Sequence, residues 1–158
     1  MRVEYINPFV ESAYNILTEV LKVEVQRGEL YLKNAAMPML GVAAIIGLAG
    51  DVEGRVLFDM TRETGIKVAS GMLTSMDMDP VEDLNEMARA TLTELANMIT
   101  GQAVTKLHNL GFKFDLTPPA IFTGENMSVS DSNFEALIVP MDLPMGKIEI
   151  NVAIRERA

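Results

Sequence analysis

Apolar residues at Phe9, Val10, Ala13, Ile16, Leu17, Val20 and Leu21 have the spacing of a buried helical stripe. Asn7 as a cap and Pro8 at the first helical position mark a start, which predicts a first helix of about four turns. Alternation follows. Val23 and Val25 precede Gln26-Arg27-Gly28, and Leu30 and Leu32 come after, which predicts two short strands joined by a glycine-containing turn. Pro38 and Gly41 interrupt the pattern. The apolar run Val42–Leu48 predicts a strand covered on both faces, and Ala49-Gly50-Asp51 turns it into a second strand, Val52–Asp59. Thr61 caps a helix predicted from Arg62 to Leu73, weakened by Gly65 and Gly71. Thr74–Pro80 reads as an acidic linker. The stretch Val81–Leu110 contains no proline and predicts a helix about 45 Å long, closed by Gly111. Phe112–Leu116, Phe134–Val139 and Lys147–Ile154 predict three further strands. Thr117-Pro118-Pro119 forces extended backbone, and Leu143-Pro144-Met145-Gly146 forms a turn.

Strands in hairpin pairs, rather than alternating with helices, predict an α+β fold with a largely antiparallel sheet. The order helix, strands, helix, helix, strands hints at a weak internal duplication. The 158 residues suit one domain spanning positions 1–158, with no linker long enough to divide it.

Composition narrows the function. There is no cysteine, which removes disulfides, thiol nucleophiles and Cys-ligated metals, and one histidine, His108, which removes multi-histidine metal sites. The net charge of −9 makes nucleic acid and anionic membrane poor partners. The N-terminal sequence lacks an apolar run of signal length, and the longest apolar run falls far short of a membrane span, so a cytoplasmic protein is expected.

On a helical wheel of the long helix, Leu84, Ala88, Leu92, Leu95, Ile99, Ala103, Leu107 and Leu110 form the core stripe. Glu86, Ala90, Glu94, Asn97, Gly101 and His108 lie opposite. Glu94 and Asn97 are i, i+3 neighbours whose head groups can reach one partner. Gly101 is anomalous, because a mid-helix glycine costs about 1 kcal/mol relative to alanine. E-x-x-N occurs three times, at Glu4–Asn7, Glu82–Asn85 and Glu94–Asn97, but only the third is mid-helix and flanked by small residues. An isolated surface Glu is ordinarily just a solvated charge. His108 lies about 16 Å along the helix from Asn97, too far to share a reacting atom. The acidic string Asp77, Asp79, Glu82, Asp83 and Glu86 lacks a calcium-loop pattern and reads as a solvated helix start. No metal site is expected.

The text Thr93-Glu94-Leu95-Ala96-Asn97-Met98-Ile99-Thr100-Gly101, followed by Leu110-Gly111, Asp115-Leu116-Thr117-Pro118-Pro119 and Thr123-Gly124, resembles the CheC/CheX/FliY family of chemotaxis phosphatases, most closely the CheX type. Gly50-Asp51-Val52-Glu53-Gly54-Arg55-Val56 resembles the family's central hairpin. The likeness runs over essentially the whole chain. It implies an α+β fold with two long helices, one bearing the site, and a homodimer. It also implies dephosphorylation of a CheY-like response regulator at its aspartyl phosphate. Carried over residue by residue, Glu94 would form a salt bridge with the receiver's active-site lysine, and Asn97 would orient the attacking water. The chain would need no cofactor of its own, Mg2+ being expected in the partner. One position departs: the family commonly has Asp or Ser four residues before the Glu, and here stands Ala90.

Chemistry permits so spare a site. Phosphoryl transfer passes through a loose transition state, so a positioned water matters more than a strong base. A neutral carboxamide orients that water without repelling the phosphoryl oxygens. Two readings follow: a phosphatase, or a non-catalytic dimeric adaptor that binds a receiver or flagellar-switch component, which Ala90 keeps open. A small-molecule hydrolase finds no nucleophile–base pair in the chain.

Overall fold

The structure, a computed structural model, describes residues 3–33, 37–129 and 135–157. Helix α1 (Val3–Leu21) contains Pro8 in its interior, not at its first position. The turn ahead of the proline carries Tyr5 and Ile6, both buried. Their burial outweighs the one helical hydrogen bond that proline cannot donate. Tyr5 packs edge-on against Phe112, ring centroids 5.0 Å apart, and its hydroxyl donates to Glu156.

Strands β1 (Gln26–Arg27) and β2 (Tyr31–Lys33) do not form the predicted hairpin. Both lie along one distant strand: Arg27 faces Met141 and Tyr31 faces Ile138, so the register slips by one residue between them. Pro140 sits at the slip, and its carbonyl accepts the Gly28 N–H at 2.8 Å. A strand residue's N–H points to the same side as its C=O. Proline therefore lacks its donor on the side facing this edge, which is where a bulge is tolerated. Strand β3 (Met37–Pro38) follows.

Strands β4 (Gly41–Gly50) and β5 (Val52–Thr61) form the expected hairpin. Val42, Ala44, Ile46 and Leu48 point into the main core; Ala43 is buried on the opposite face. Helix α2 (Arg62–Ser75) starts at Thr61, whose hydroxyl accepts the Thr64 N–H at 3.1 Å. Gly65 lets it approach the sheet: a Cβ there would stand 2.8 Å from Val42 Cγ1.

Helix α3 (Glu86–Asn109) is shorter than predicted, beginning five residues after Val81. Val81 is held outside it by Ser70, whose hydroxyl donates to the Val81 carbonyl at 3.0 Å and accepts its N–H at 3.1 Å. Asp83 pairs with Arg62 at the start of α2 and stays exposed, solvated as expected but in the connection ahead of the helix. Gly111 closes the helix at φ +98°, as expected, and the Phe112 N–H donates to the Leu107 carbonyl.

The remaining strands are β6 (Phe114–Leu116), β7 (Ala120–Thr123), β8 (Ser128–Val129), β9 (Ala136–Leu143) and β10 (Gly146–Glu156). The predicted start of β9, Phe134, lies outside the described residues. Strand β6 is shorter than expected because the amides ahead of it are taken, Phe112 N–H by the Leu107 carbonyl and Lys113 N–H by the Asp51 side chain. Thr117 seals the outer side of β4, its Oγ1 accepting the Gly47 N–H at 2.8 Å. Among the described residues, eight strands form one antiparallel sheet in the order β1-β9-β10-β5-β4-β6, with β2 also on β9 and β7 on β4. A two-stranded ladder joins β3 to β8. The helices cover one face of the sheet and enclose the main core with it. The architecture is the predicted α+β, with a third, shorter helix beside the two long ones. No helix among the described residues is long and apolar enough to cross a membrane.

Candidate functional site

The rigidity of α3 comes from both ends and one face. At its start the Asn85 side chain accepts the Ala88 N–H at 2.9 Å, and Arg89 donates back to the Leu84 carbonyl at 2.7 Å. Toward its end Lys106 pairs with Glu11 of α1 at 3.2 Å. Ala88, Leu92, Leu95, Ile99, Ala103 and Leu107 are buried along the predicted stripe. Leu84 is buried just ahead of the helix. Leu110 is the exception: it follows the last turn and is 59% exposed, because the chain turns away at Gly111.

Glu94 and Asn97 are both exposed on the opposite face, one turn apart, as the spacing predicts. Ala90, Gly101, Glu86 and His108 are exposed with them. Among the described residues no hydrogen bond or ion pair engages Glu94 or Asn97, so both head groups are available to a partner. Of the helix's four threonines, Thr100 is fully buried and the hydroxyls of the other three are engaged within the helix, so none is a rival nucleophile on this face. The hydroxyls of Thr91, Thr93 and Thr105 donate to the carbonyls of Met87, Arg89 and Gly101 at 2.7, 2.8 and 3.1 Å.

His108 is held elsewhere: its ring meets Phe114 edge-on at 5.2 Å, and Nε2 lies 3.4 Å from the Phe114 carbonyl. It takes no part with Asn97. All five residues of the acidic string are exposed, and Asp83 also pairs with Arg62. Among the described residues no three His, Asp or Glu side chains converge as metal ligands do.

The site lies on the convex surface of a helix. Clefts exist between α1 and β1, lined by Glu11, Tyr14, Asn15 and Arg27, and around His108 and Lys113, but neither includes Glu94 or Asn97. Small molecules are ordinarily enclosed in concave pockets. Two polar groups raised on a convex face suit a partner that supplies its own concavity.

One ionisable group escaped the sequence reading. Asp59 is buried on the sheet face away from the helices, directly opposite Glu149 on β10. Burial pushes its carboxyl up to about 6, against two backbone amides that lower it; Glu149 raises it further. Both carboxylate oxygens take the Leu40 N–H at 3.1 Å. The only signal was an Asp inside the strand text Val56-Leu57-Phe58-Asp59-Met60. This group is part of the sheet's outer face and is separated from Glu94 and Asn97 by the sheet itself.

Residues 42–142 match the family model of the chemotaxis phosphatase CheX. The CheY-P phosphatase CheX of Thermotoga maritima is 29% identical over 129 residues, which cover 82% of this chain and 81% of that one. A chain in the crystal structure of the CheX–CheY–BeF3–Mg2+ complex from Borrelia burgdorferi is 46% identical, with a TM-score of 0.83 over 98% of this chain and all (100%) of that one. A CheC-like superfamily protein from Shewanella sp. PV-4 superposes with a TM-score of 0.87 at 26% identity, covering 98% and 99% of the two chains.

Proposed function

Since the chain belongs to the CheX family of chemotaxis phosphatases, we propose that it hydrolyses the aspartyl phosphate of a CheY-like response regulator, using Glu94 and Asn97 of α3. The observation that carries this reading is the pair itself: two exposed head groups one turn apart, on a helix whose other face is locked into the core. The 46% identity to a chain from a complex with CheY supports the choice of partner.

Glu94 is the docking residue, its carboxylate meeting the lysine of the receiver's active site. Asn97 is the catalytic residue. Its Oδ1 accepts a hydrogen bond from a water and turns a lone pair of that water toward phosphorus, in line with the aspartyl oxygen. The water-oxygen bond to phosphorus forms as the phosphorus–aspartyl oxygen bond breaks. The products are inorganic phosphate and the receiver's free carboxylate. The proton passes from the water to the phosphate, and no strong base is needed because the transition state is loose. The carboxamide is neutral and adds no charge beside the anionic phosphoryl group. Mg2+ belongs to the receiver, where it offsets phosphoryl charge; this chain needs no cofactor of its own. The pair holds its geometry because α3 is anchored at both ends and along its buried face.

The chain works in the cytoplasm as a single domain and as a homodimer. The dimer reading draws support from the edge strand β2 and the residue before it, where Leu30, Tyr31 and Leu32 are 49%, 38% and 55% exposed beside one another. Leu32→Glu should lower the mass measured by light scattering to that of one chain.

The test of the activity is receiver dephosphorylation. A CheY-like receiver is loaded with a small phosphodonor in Mg2+, and decay of the phosphorylated form is followed alone, with this protein, and with Asn97→Ala. Faster decay that vanishes in the variant is expected. Binding without acceleration by the wild type would leave the adaptor reading, which the alanine at position 90 accommodates.

A further inference from the structure

Ten of the eleven glycines in this chain have a reason that lies within the fold. Five take left-handed φ: Gly41, Gly50, Gly54, Gly111 and Gly146. At the other five (Gly28, Gly47, Gly65, Gly71 and Gly124) a Cβ would stand within 3.2 Å of a neighbouring atom. Gly101 satisfies neither condition. Its backbone is helical, it is exposed, and among the described residues nothing lies within 4 Å of where its Cβ would be. Glycine in a helix interior is less stable than alanine, since it gives up more backbone freedom on folding. The fold therefore loses stability at Gly101 and gains no packing from it.

What recommends a glycine there is its position. Gly101 follows Asn97 by four residues and Glu94 by seven, so all three share one face on successive turns. We infer that Gly101 is the contact point at which the surface of the docked phosphorylated receiver, beside its phosphorylation site, rests on the bare backbone of α3. This rests on the reading of Glu94 and Asn97 given above. The Asn97 side chain is short. Its amide reaches a water on the phosphoryl group only if the receiver settles low against the helix, and a side chain one turn away would prop the two surfaces apart. The contact is van der Waals in kind. The Gly101 carbonyl already accepts the Thr105 hydroxyl at 3.1 Å, leaving the Cα as the surface presented. Gly101 is thus a positioning and specificity residue that touches no reacting atom.

The test uses Gly101→Ala and Gly101→Leu in the full-length protein. Neither side chain meets an internal neighbour at its Cβ, so both should fold. Removing the helix penalty should raise the thermal midpoint of Gly101→Ala by about 2–4 °C. Initial rates of receiver dephosphorylation are then measured against phosphorylated receiver concentration. KM should rise at least about fivefold in Gly101→Leu, the usual scale of an overpacked contact, and less in Gly101→Ala, with kcat retained at saturation. Wild-type KM in both variants overturns the inference. So does a fall in kcat at unchanged KM, which would place the effect in helix geometry around Asn97. Binding of beryllofluoride-loaded receiver is measured alongside. If the wild type fails to speed decay, the phosphatase reading falls, and binding decides the glycine contact: equal affinities for wild type and Gly101→Leu overturn it, and a loss confined to the variants supports it.

Discussion

The side-chain oxygen of Asn85 accepts the backbone N–H of Ala88 at 2.9 Å, and that bond sets where α3 begins. The first-turn amides of a helix have no partners within it, and a capping side chain satisfies one of them. Asn85→Ala should lower unfolding free energy by about 1 kcal/mol, read from urea midpoints. Because Glu94 lies more than two turns further on, in the part of the helix anchored to the core, kcat should not change. A large loss of kcat would mean that the helix start governs the site.

Glu94→Gln tests the docking role proposed for Glu94. Glu94 is exposed, so the proposed attraction to a receiver lysine would be screened by salt. KM for phosphorylated receiver should rise several-fold in the variant at low ionic strength, and added salt should narrow the gap between variant and wild type. A variant with unchanged KM and reduced kcat would move Glu94 from docking into the chemical step.

Asp59 should give the protein a distinct pH dependence. Its carboxyl is raised from an ordinary 3.8 to about 6, chiefly by burial. The folded state therefore holds this proton more tightly than the unfolded chain does. The stability it contributes is greatest at low pH, falls as pH rises from about 4 to 6, and is then constant, because the group is charged in both states. The titratable groups facing it are Glu149 and Lys147 on β10 and Tyr31 on β2. Glu149 is engaged by Lys147 at 3.0 Å and by the Tyr31 hydroxyl at 3.3 Å. Asp59→Asn keeps an acceptor for the Leu40 amide and removes the charge. Relative to wild type it should gain roughly 2–3 kcal/mol between pH 4 and pH 7, measured as the change in urea midpoint. Parallel pH profiles for the two proteins would show that the carboxylate is not destabilised by the sheet.

Alanine at Gly65 and at Gly101 should act with opposite sign. Both positions are helical, and the intrinsic gain is about 1 kcal/mol in each case. At Gly65 the new Cβ would stand 2.8 Å from Val42 Cγ1, between α2 and the sheet. Overpacking of this kind costs about 1–3 kcal/mol, so Gly65→Ala should be destabilised overall in chemical denaturation while Gly101→Ala is stabilised.

The parts of this protein legible in its sequence are those set by neighbours along the chain. The central hairpin, the helical stripe from Ala88 to Leu107, the cap at Thr61 and the stop at Gly111 follow from spacing and turn chemistry within a few residues. Glu94 and Asn97 were legible for the same reason: once the buried stripe of α3 is known, the opposite face is known, and the family resemblance picked them out on it. What tertiary structure decided involves partners far away in sequence. Gln26 pairs with Asp142, so β1 and β2 became one broken edge strand instead of a hairpin. The burial of Tyr5 against Phe112 carried α1 past its proline. Ser70 took hold of Val81 and shortened α3 at its start. Asp59 acquired its raised pKa only when sheet packing removed its water. Local pattern specifies which face of an element is apolar. Which distant surface that face meets, and which polar groups are stranded when it does, depends on contacts that form only in the assembled fold.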